Sequence, residues 1–441
     1  MRFQLYNPRS EYLRYGIREM VELAQRLSDL DPAFRFIGEN IGDPVAKGWE
    51  PPAFVKDVVC EVARRNKGEA FGYTHSRGCL ATRTWVADTA RQFSPSSRLD
   101  AEHVLFTNGL GSAISVFYRM LGTGARILQP NPAYPAHIST ERYASAGEPI
   151  GYRLDPARRW APDLAHMESQ IQKHPQVVGI LLINPNNPTG AVYDAETLDG
   201  VIRLAERYHL MVISDEVYFR MVFNQSRYVH ITERAQGRVP LVVMRGISKD
   251  IPWPGSRCGW MEFHNTDLDE DFNRFFESIK KPLMIEVCST TLPQMAAPLI
   301  YNHPEYPVWL AQCNAELERN SNRMVGLLST VPQLQVQPIQ GAFYLTVLFK
   351  DGVLNERQTL PVAHAGAREF IQKTIAAGSM PLDKRFAFYL LAATGIGVVP
   401  ASDFDSPWPG FRVTTLERNP ERLDQTYHKL GDAIAQYLVS A

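Results

Sequence analysis

The sequence has almost no net charge: over 441 residues, 46 lysines and arginines stand against 47 aspartates and glutamates, a formal −1. Without a basic excess, broad binding to nucleic acid or to an anionic membrane surface is not expected. Cysteine is scarce. Cys60, Cys79, Cys258, Cys288 and Cys313 are odd in number and scattered, and no two form Cys-x-x-Cys. That argues against a disulfide framework or a thiolate zinc motif and fits a reducing cytoplasm. The eleven histidines show neither His-x-His nor His-Glu-x-x-His spacing, so no metal site is expected. The first residues, Met-Arg-Phe-Gln-Leu-Tyr-Asn-Pro, hold no apolar signal core, and no apolar run is long enough to span a bilayer. Internal repeats, low-complexity tracts and charge runs are missing, and no basic helix-turn-helix extension precedes the first helical pattern. What remains is a chain 45% hydrophobic, long enough to bury substantial cores. Small-molecule chemistry is its default expectation.

The periodicity then organises the chain. Leu13, Ile17, Met20, Val21, Ala24 and Leu27 recur at helical spacing and predict an amphipathic helix over 11–30. Within it lies Tyr15-Gly-Ile-Arg18, whose arginine reads either as a solvated helix residue or as a substrate contact. A short extended piece breaks into a turn at 36–44, where Gly42 serves the turn or lets the backbone approach a ligand. Helices are predicted over 51–65 and 80–92, and in the aromatic, polar loop between them Tyr73 is either surface or site. From 104 onward strands alternate with helices: strands at 104–107, 126–129, 177–183, 209–213, 241–244 and 259–263, helices at 113–121, 198–207, 269–281 and 305–330. The unbroken apolar run Val-Val-Gly-Ile-Leu-Leu-Ile at 177–183 is the pattern of a strand covered on both faces, so an α/β fold with a mostly parallel sheet is predicted. Beyond 330 the pattern shifts to strands at 334–338, 341–349 and 408–414 with helices at 365–377 and 421–438, the outline of a separate, smaller α+β domain.

The chemistry-bearing residues cluster where strands empty into turns. Asn108-Gly109-Leu110-Gly111-Ser112 joins a strand to a helix, a way of aiming helix N–H groups at a phosphate or simply a tight turn. Pro-Asn-Pro-Ala-Tyr134-Pro places an aromatic ring at a sheet edge, able to stack on a flat ring. Asn184-Pro-Asn-Asn187-Pro-Thr-Gly ends the most apolar strand in a rigid turn that presents amide side chains. Asp215 leaves another apolar strand and requires a cationic partner if buried. Residues 244–260 carry Ser248-Lys249 on a loop stiffened by Pro252 and Pro254, with Arg257 eight residues on. A partly desolvated lysine can condense with an aldehyde, and an arginine can fork onto a phosphate.

In order, Gly42, Tyr73, the 108–111 turn, Tyr134, Asn187, Asp215-x-x-Tyr218, Ser248-Lys249, Arg257 and Arg412 resemble the class I/II aminotransferases of pyridoxal phosphate fold type I. The likeness spans nearly the whole chain, from about Tyr15 past Arg412. It implies a large cofactor-binding domain over 51–305 and a small domain built from 1–50 and 306–441. It implies pyridoxal 5'-phosphate as cofactor, anchored on Lys249, with Asp215 facing its ring nitrogen. Tyr218 and Asn187 would face its phenolic oxygen, and Tyr134 would lie over the ring. The phosphate would be held by Arg257, Ser248, the backbone at Gly109, Leu110 and Gly111, and Tyr73 of a second subunit, hence a homodimer. Arg412 would hold the substrate α-carboxylate, with Gly42 closing over it. Lys249, Asp215 and Tyr218 would be catalytic.

Tyr15-Gly-Ile-Arg18 resembles an element of alanine aminotransferases, which makes glutamate with pyruvate the leading substrate pair. An aromatic or branched-chain aminotransferase, with Tyr134 and Trp253 lining the pocket, is the main alternative. A carbon–sulfur lyase, decarboxylase or oxidase on the same scaffold, and more distantly a cofactor-binding regulator, complete the field. Three departures bear on substrate: the proline-rich lysine segment, Gly111-Ser112 in the phosphate turn, and the Glu-Met that follows Arg18.

Overall fold

A computed structural model describes residues 5–13 and 15–440, with the side chains of 66 and 67 left aside. Residues 1–4, 14 and 441, which fall in the expected small domain, lie outside the described residues. Eight strands make the larger sheet: β1 (Val104–Asn108), β2 (Arg126–Asn131), β3 (Ile150–Asp155), β4 (Ala161–Pro162), β5 (Val177–Ile183), β6 (Met211–Asp215), β7 (Leu241–Gly246) and β8 (Cys258–His264). Their order is β1-β8-β7-β6-β5-β2-β3-β4. From β7 through β6, β5 and β2 to β3 the pairing is parallel, while β8 runs antiparallel to both β1 and β7.

The apolar runs are explained by what covers them. Along β5, Ile180 and Leu182 pack into one core cluster, and Leu181 and Ile183 into another on the opposite face. Val212 and Val243 share the first cluster, Ile213, Val242 and Met244 the second. With period two and both faces buried, nearly every strand residue must be apolar, each fully buried Leu, Ile or Val contributing about 1.5–3 kcal/mol.

A second, antiparallel sheet has the order β9-β10-β12-β11, with β9 at Leu334–Gln335, β10 at Tyr344–Phe349, β11 at Val399–Pro400 and β12 at Gly410–Thr414. The N-terminal helix, Gly16–Leu30, turns Met20, Leu23 and Leu27 into the same cluster as Phe386, Leu390, Leu391, Phe411 and Val413. Ile37–Gly38 pairs in parallel with Ile396–Gly397, which carries the Gly42 turn across to β12. There Thr414 N donates to Glu39 O at 3.0 Å.

Several element boundaries differ from the sequence expectation, each with a local cause. The helix predicted over 11–30 starts only at Gly16. Before it, Pro8–Tyr12 forms a separate 3-10 turn capped by Asn7, so Tyr15 stands at the helix entrance rather than inside it. The helix predicted over 113–121 begins at Leu110, because Gly109, at φ +76°, turns the chain straight out of β1. Helices over Pro135–Ser145, Leu164–Lys173, Thr291–Tyr301 and Leu382–Thr394 add to the predicted set. Among the described residues, no single helix is long and apolar enough to cross a membrane.

Candidate active site

β1, β2, β5, β6 and β7 release their ends toward one edge of the sheet, where an open α/β sheet leaves room for a ligand. The crevice there has a volume of about 510 Å³. Tyr15, Arg18, Gly42, Leu110, Gly111, Tyr134, Asn187, Asp215, Tyr218, Ser248, Lys249, Arg257 and Arg412 all line it. Gly109 backs it from the turn. Tyr73, expected to act on the phosphate of a second subunit, does not line this chain's own crevice and is 87% exposed. Trp253 also lies elsewhere, packed beside the cluster that contains Phe54 and Trp260.

Lys249 donates from Nζ to the Gly42 carbonyl at 2.8 Å. Burial lowers its pKa to about 8; Arg412 and Arg257 push the same way, and Asp43 and Asp215 oppose them. A lowered pKa, which leaves more of the amine neutral near pH 7 than an ordinary lysine has, is what a nucleophilic amine requires. Its mount is fixed from both sides. Ile247 and Ile251 are fully buried, and the Asp250 carboxylate accepts from Tyr301 Oη at 3.0 Å and Tyr306 Oη at 2.8 Å, with Arg220 at 3.5 Å.

Asp215 ends β6, in register with Ile183 and Met244, and is 3% exposed. Its Oδ2 lies 3.2 Å from His137 Nε2, and its Oδ1 accepts from Val217 N at 3.2 Å. His137 Nδ1 in turn meets Tyr118 Oη at 3.3 Å. Among the described residues no lysine or arginine pairs with Asp215. A buried carboxylate left that way is costly unless a cationic donor arrives from outside the chain.

Arg412 is 1% exposed and, among the described residues, equally short of a counterion. Its Nη1 donates to Asn187 Oδ1 at 3.1 Å and its Nη2 to Asn40 O at 2.7 Å, while among the same residues buried Nε has no partner. Burial lowers its pKa. A planar fork with a spare donor suits a carboxylate ligand. Tyr218 Oη donates to Tyr344 Oη at 2.9 Å, and Tyr134 and Tyr15 share a hydrogen bond at 3.0 Å. The Gly42 turn packs so tightly on Tyr344 that a Cβ at 42 would collide with its hydroxyl.

At the other end, the N–H groups of the helix Leu110–Arg119 open toward Arg257 and the mostly buried Ser248. Arg257 Nη2 donates to Asn108 O at 3.3 Å, and a side chain on Gly109 would run into the guanidinium. A helix N-terminus beside an arginine is an arrangement able to hold a phosphate.

Sequence reasoning missed His137, Tyr344, Asn40 and Asp43. His137 and Tyr344 carry no spacing signal because their partners lie 78 and 126 residues away. Asn40 acts through a backbone carbonyl, which no side-chain pattern reveals.

The sequence profile of aminotransferase class I and II matches residues 46–430. The chain belongs to that family. An uncharacterized aminotransferase of Methanocaldococcus jannaschii is 39% identical over 438 residues, 99% of this chain and 100% of that one. The S-alkyl-thiohydroximate lyase of Arabidopsis thaliana is 30% identical over 344 residues, 75% of this chain and 72% of that one. Among solved structures, the alanine aminotransferase from Pyrococcus furiosus superposes with a TM-score of 0.83 at 25% identity, covering 98% of this chain and 100% of that one.

The aminotransferase is therefore a pyridoxal phosphate-dependent transaminase of fold type I, acting on an amino acid and a 2-oxo acid. Its residues fit the cofactor. The carboxylate with no lysine or arginine partner among the described residues matches a protonated ring nitrogen, the lysine of lowered pKa an aldehyde, and the glycine-lined helix end a phosphate. Among the described residues no group of three or more His, Cys, Asp or Glu is arranged to hold a metal.

Proposed function

We propose that the aminotransferase exchanges the amino group between glutamate and pyruvate, giving 2-oxoglutarate and alanine. The observation that carries this is Arg18. It lines the crevice from the N-terminal helix, its guanidinium has no ion-pair partner among the described residues, and it gives the crevice that Arg412 also lines a second cation for a distal carboxylate. The likeness to the Pyrococcus furiosus alanine aminotransferase supports the same pair.

In this reading Lys249 anchors the cofactor, Asp215 pairs with its ring nitrogen, and Tyr218 and Asn187 hydrogen-bond its phenolic oxygen. Tyr134 covers the ring. Leu110 and Gly111 N–H groups behind Gly109, together with Ser248 and Arg257, hold the phosphate. Once bound, the cofactor supplies an electron sink for the bonds of the substrate α-carbon. Arg412 forks onto the α-carboxylate and fixes which of those bonds is labile. Lys249 Nζ, free once the substrate amine has taken its place, would take the α-proton as a general base and, as a general acid, give it up to the carbon that had carried the cofactor's aldehyde.

The polypeptide divides, on this reading, into a large domain over 51–305 and a small one made of 1–50 and 306–441, working as a cytoplasmic homodimer. Phe71, Tyr73, Met284, Ile285 and Val287 are exposed apolar or aromatic residues. They flank the Thr291 to Gly72 hydrogen bond of 2.7 Å and the contact of Thr290 N with Asn108 Oδ1 at 3.2 Å. A patch beside the phosphate turn supports a second subunit that brings its own Tyr73.

One observation favours another substrate: Ile17, Val21, Ile41 and Ala46 give the mouth an apolar lining suited to larger side chains. Half-reaction spectra with a panel of amino acids decide between the two. Glutamate and alanine should convert the cofactor fastest, and Arg18→Ala should slow glutamate by roughly five- to thirtyfold, the scale of a ~1–2 kcal/mol charge-assisted contact, while sparing alanine. A much faster reaction with phenylalanine or leucine, or an Arg18→Ala rate equal to the parent, overturns the proposal.

A further inference from the structure

Tyr344 sits at a junction that no motif announces. It starts β10, directly opposite Thr414 of β12, and is 3% exposed. Its hydroxyl accepts from Tyr218 at 2.9 Å. The Arg412 guanidinium lies over its ring, 4.3 Å from the centroid. Its hydroxyl also sets the packing limit at Gly42, the residue whose carbonyl accepts from Lys249. One phenol thus touches the tyrosine at the cofactor, the arginine of the carboxylate clamp and the loop that receives the lysine.

A phenol has one proton and can donate it to one acceptor at a time. Facing an anionic oxygen, Tyr218 donates there, because a charge-assisted hydrogen bond is about twice as strong as a neutral one. Tyr344 is then left to donate into the Tyr218 oxygen, and hydrogen bonds in such a chain strengthen one another. Burial raises both phenols above their ordinary pKa, Tyr218 well above, so both keep their protons. The Arg412 charge acts on Tyr344 in the opposite sense and makes it the better donor. A carboxylate that neutralises Arg412 removes that help.

We propose that Tyr344 is a positioning residue that couples the carboxylate clamp to the cofactor face, donating to Tyr218 while Tyr218 donates to the cofactor's phenolic oxygen. The inference rests on the role given above to Tyr218. It provides a second route between the two ends of the crevice, independent of the direct bond from Arg412 to Asn187. Other titratable and charged groups also face this chain, and Tyr344→Phe leaves their side chains unchanged. They are Asp43, Arg257 and Asp215 around Lys249, Tyr15 and Asp43 near Tyr344, and Tyr134 and Asp215 near Tyr218.

The test is a pH titration of the visible absorbance of the holoenzyme, with and without saturating glutarate, which has carboxylates but no amino group. Tyr344→Phe keeps the ring and loses the donor. It should raise the midpoint by roughly a few tenths of a pH unit, and glutarate should then raise it less than in the parent. Tyr218→Phe should raise it more, and adding Tyr344→Phe to that variant should change nothing further. No shift, a downward shift, or the same shift in the Tyr218→Phe background overturns the coupling. If Tyr218→Phe itself leaves the midpoint unmoved, it is the role of Tyr218 that fails. Should Tyr344→Phe not hold cofactor, 3-fluorotyrosine placed at position 344, a stronger donor of nearly the same shape, should lower the midpoint; an unchanged or raised value counts against the proposal.

Discussion

Asp215 and Glu216 are neighbours at the end of one strand, both buried, and the chain treats them in opposite ways. Glu216 is 0% exposed, and its Oε2 accepts from Arg245 Nη2 at 2.7 Å and Nε at 3.0 Å. Its Oε1 accepts from Ser214 Oγ at 3.0 Å. Arg245 also reaches Glu262 at 3.0 Å, and these two carboxylates outweigh burial to hold its pKa up. Asp215, turned to the crevice, has among the described residues only an imidazole and one backbone N–H. The fold can satisfy a buried carboxylate at this point, and one residue earlier it withholds the cation. A charge left incomplete inside an otherwise completed network marks where a ligand supplies the missing half.

The contrast predicts opposite phenotypes. Asp215→Asn should still bind pyridoxal phosphate but lose turnover by about 10²–10³-fold, the usual cost of removing one preorganised electrostatic partner. The cofactor-free variant should be no less stable than the parent, since a buried unpaired charge is gone. Glu216→Gln should do the reverse, keeping turnover near the parent value while losing about 3 kcal/mol in denaturant unfolding, because Arg245 loses half of its compensation. Full activity in the first variant, or unimpaired stability in the second, breaks the comparison.

A smaller effect follows for the clamp. Arg412→Lys keeps the charge and loses the fork, so amino acids should bind about 1.5–3 kcal/mol more weakly, with amines lacking a carboxylate nearly unaffected. Equal losses for both classes in binding titrations would make Arg412 structural. His137→Asn should slow turnover only about five- to tenfold, one hydrogen bond of ~1–1.5 kcal/mol on Asp215, and a loss as large as that of Asp215→Asn would show that the imidazole does more than orient.

The smallest effect is in pH. With Lys249 as the proposed anchor, only its neutral amine captures the cofactor, so capture by the cofactor-free protein should accelerate as pH rises and level off above about 8. Asp43 raises that pKa, so in Asp43→Asn the plateau should begin at lower pH. Stopped-flow absorbance reads both curves, and a plateau displaced upward would reverse the role given to Asp43.

Much of this was legible from residue order alone. The apolar run at 177–183 announced a strand buried on both faces, and the residues at the strand exits meet in one crevice because parallel strands deliver their ends to the same edge. The helix Leu382–Thr394 was not legible. Buried on most sides, with Phe386, Ala387, Phe388, Tyr389, Leu390 and Leu391 in its core-facing run, it has no polar stripe to reveal a period of 3.6. The partners of Asp215 and Tyr218 were hidden for a different reason. His137 and Tyr344 are ordinary residues of a helix and a strand until the fold brings them into contact, and tertiary neighbours leave no mark on local spacing. Asp215 was readable because an acid beside an apolar run contradicts its surroundings.

The bonds of Arg412 to Asn40 and Asn187 join segments 372 and 225 residues apart in the chain. Contacts that distant carry a large loop-closure entropy and form late relative to local ones. The phosphate turn, Asp215 and Lys249 all lie between 108 and 257, at the ends of strands of the same sheet, where β8 joins β1 to β7 and β7 pairs with β6. The Arg257 to Asn108 contact beside the phosphate turn closes a loop of 149 residues, shorter than either loop closed by Arg412, so the proposed cofactor end of the crevice has the lower closure entropy and the proposed carboxylate clamp the higher.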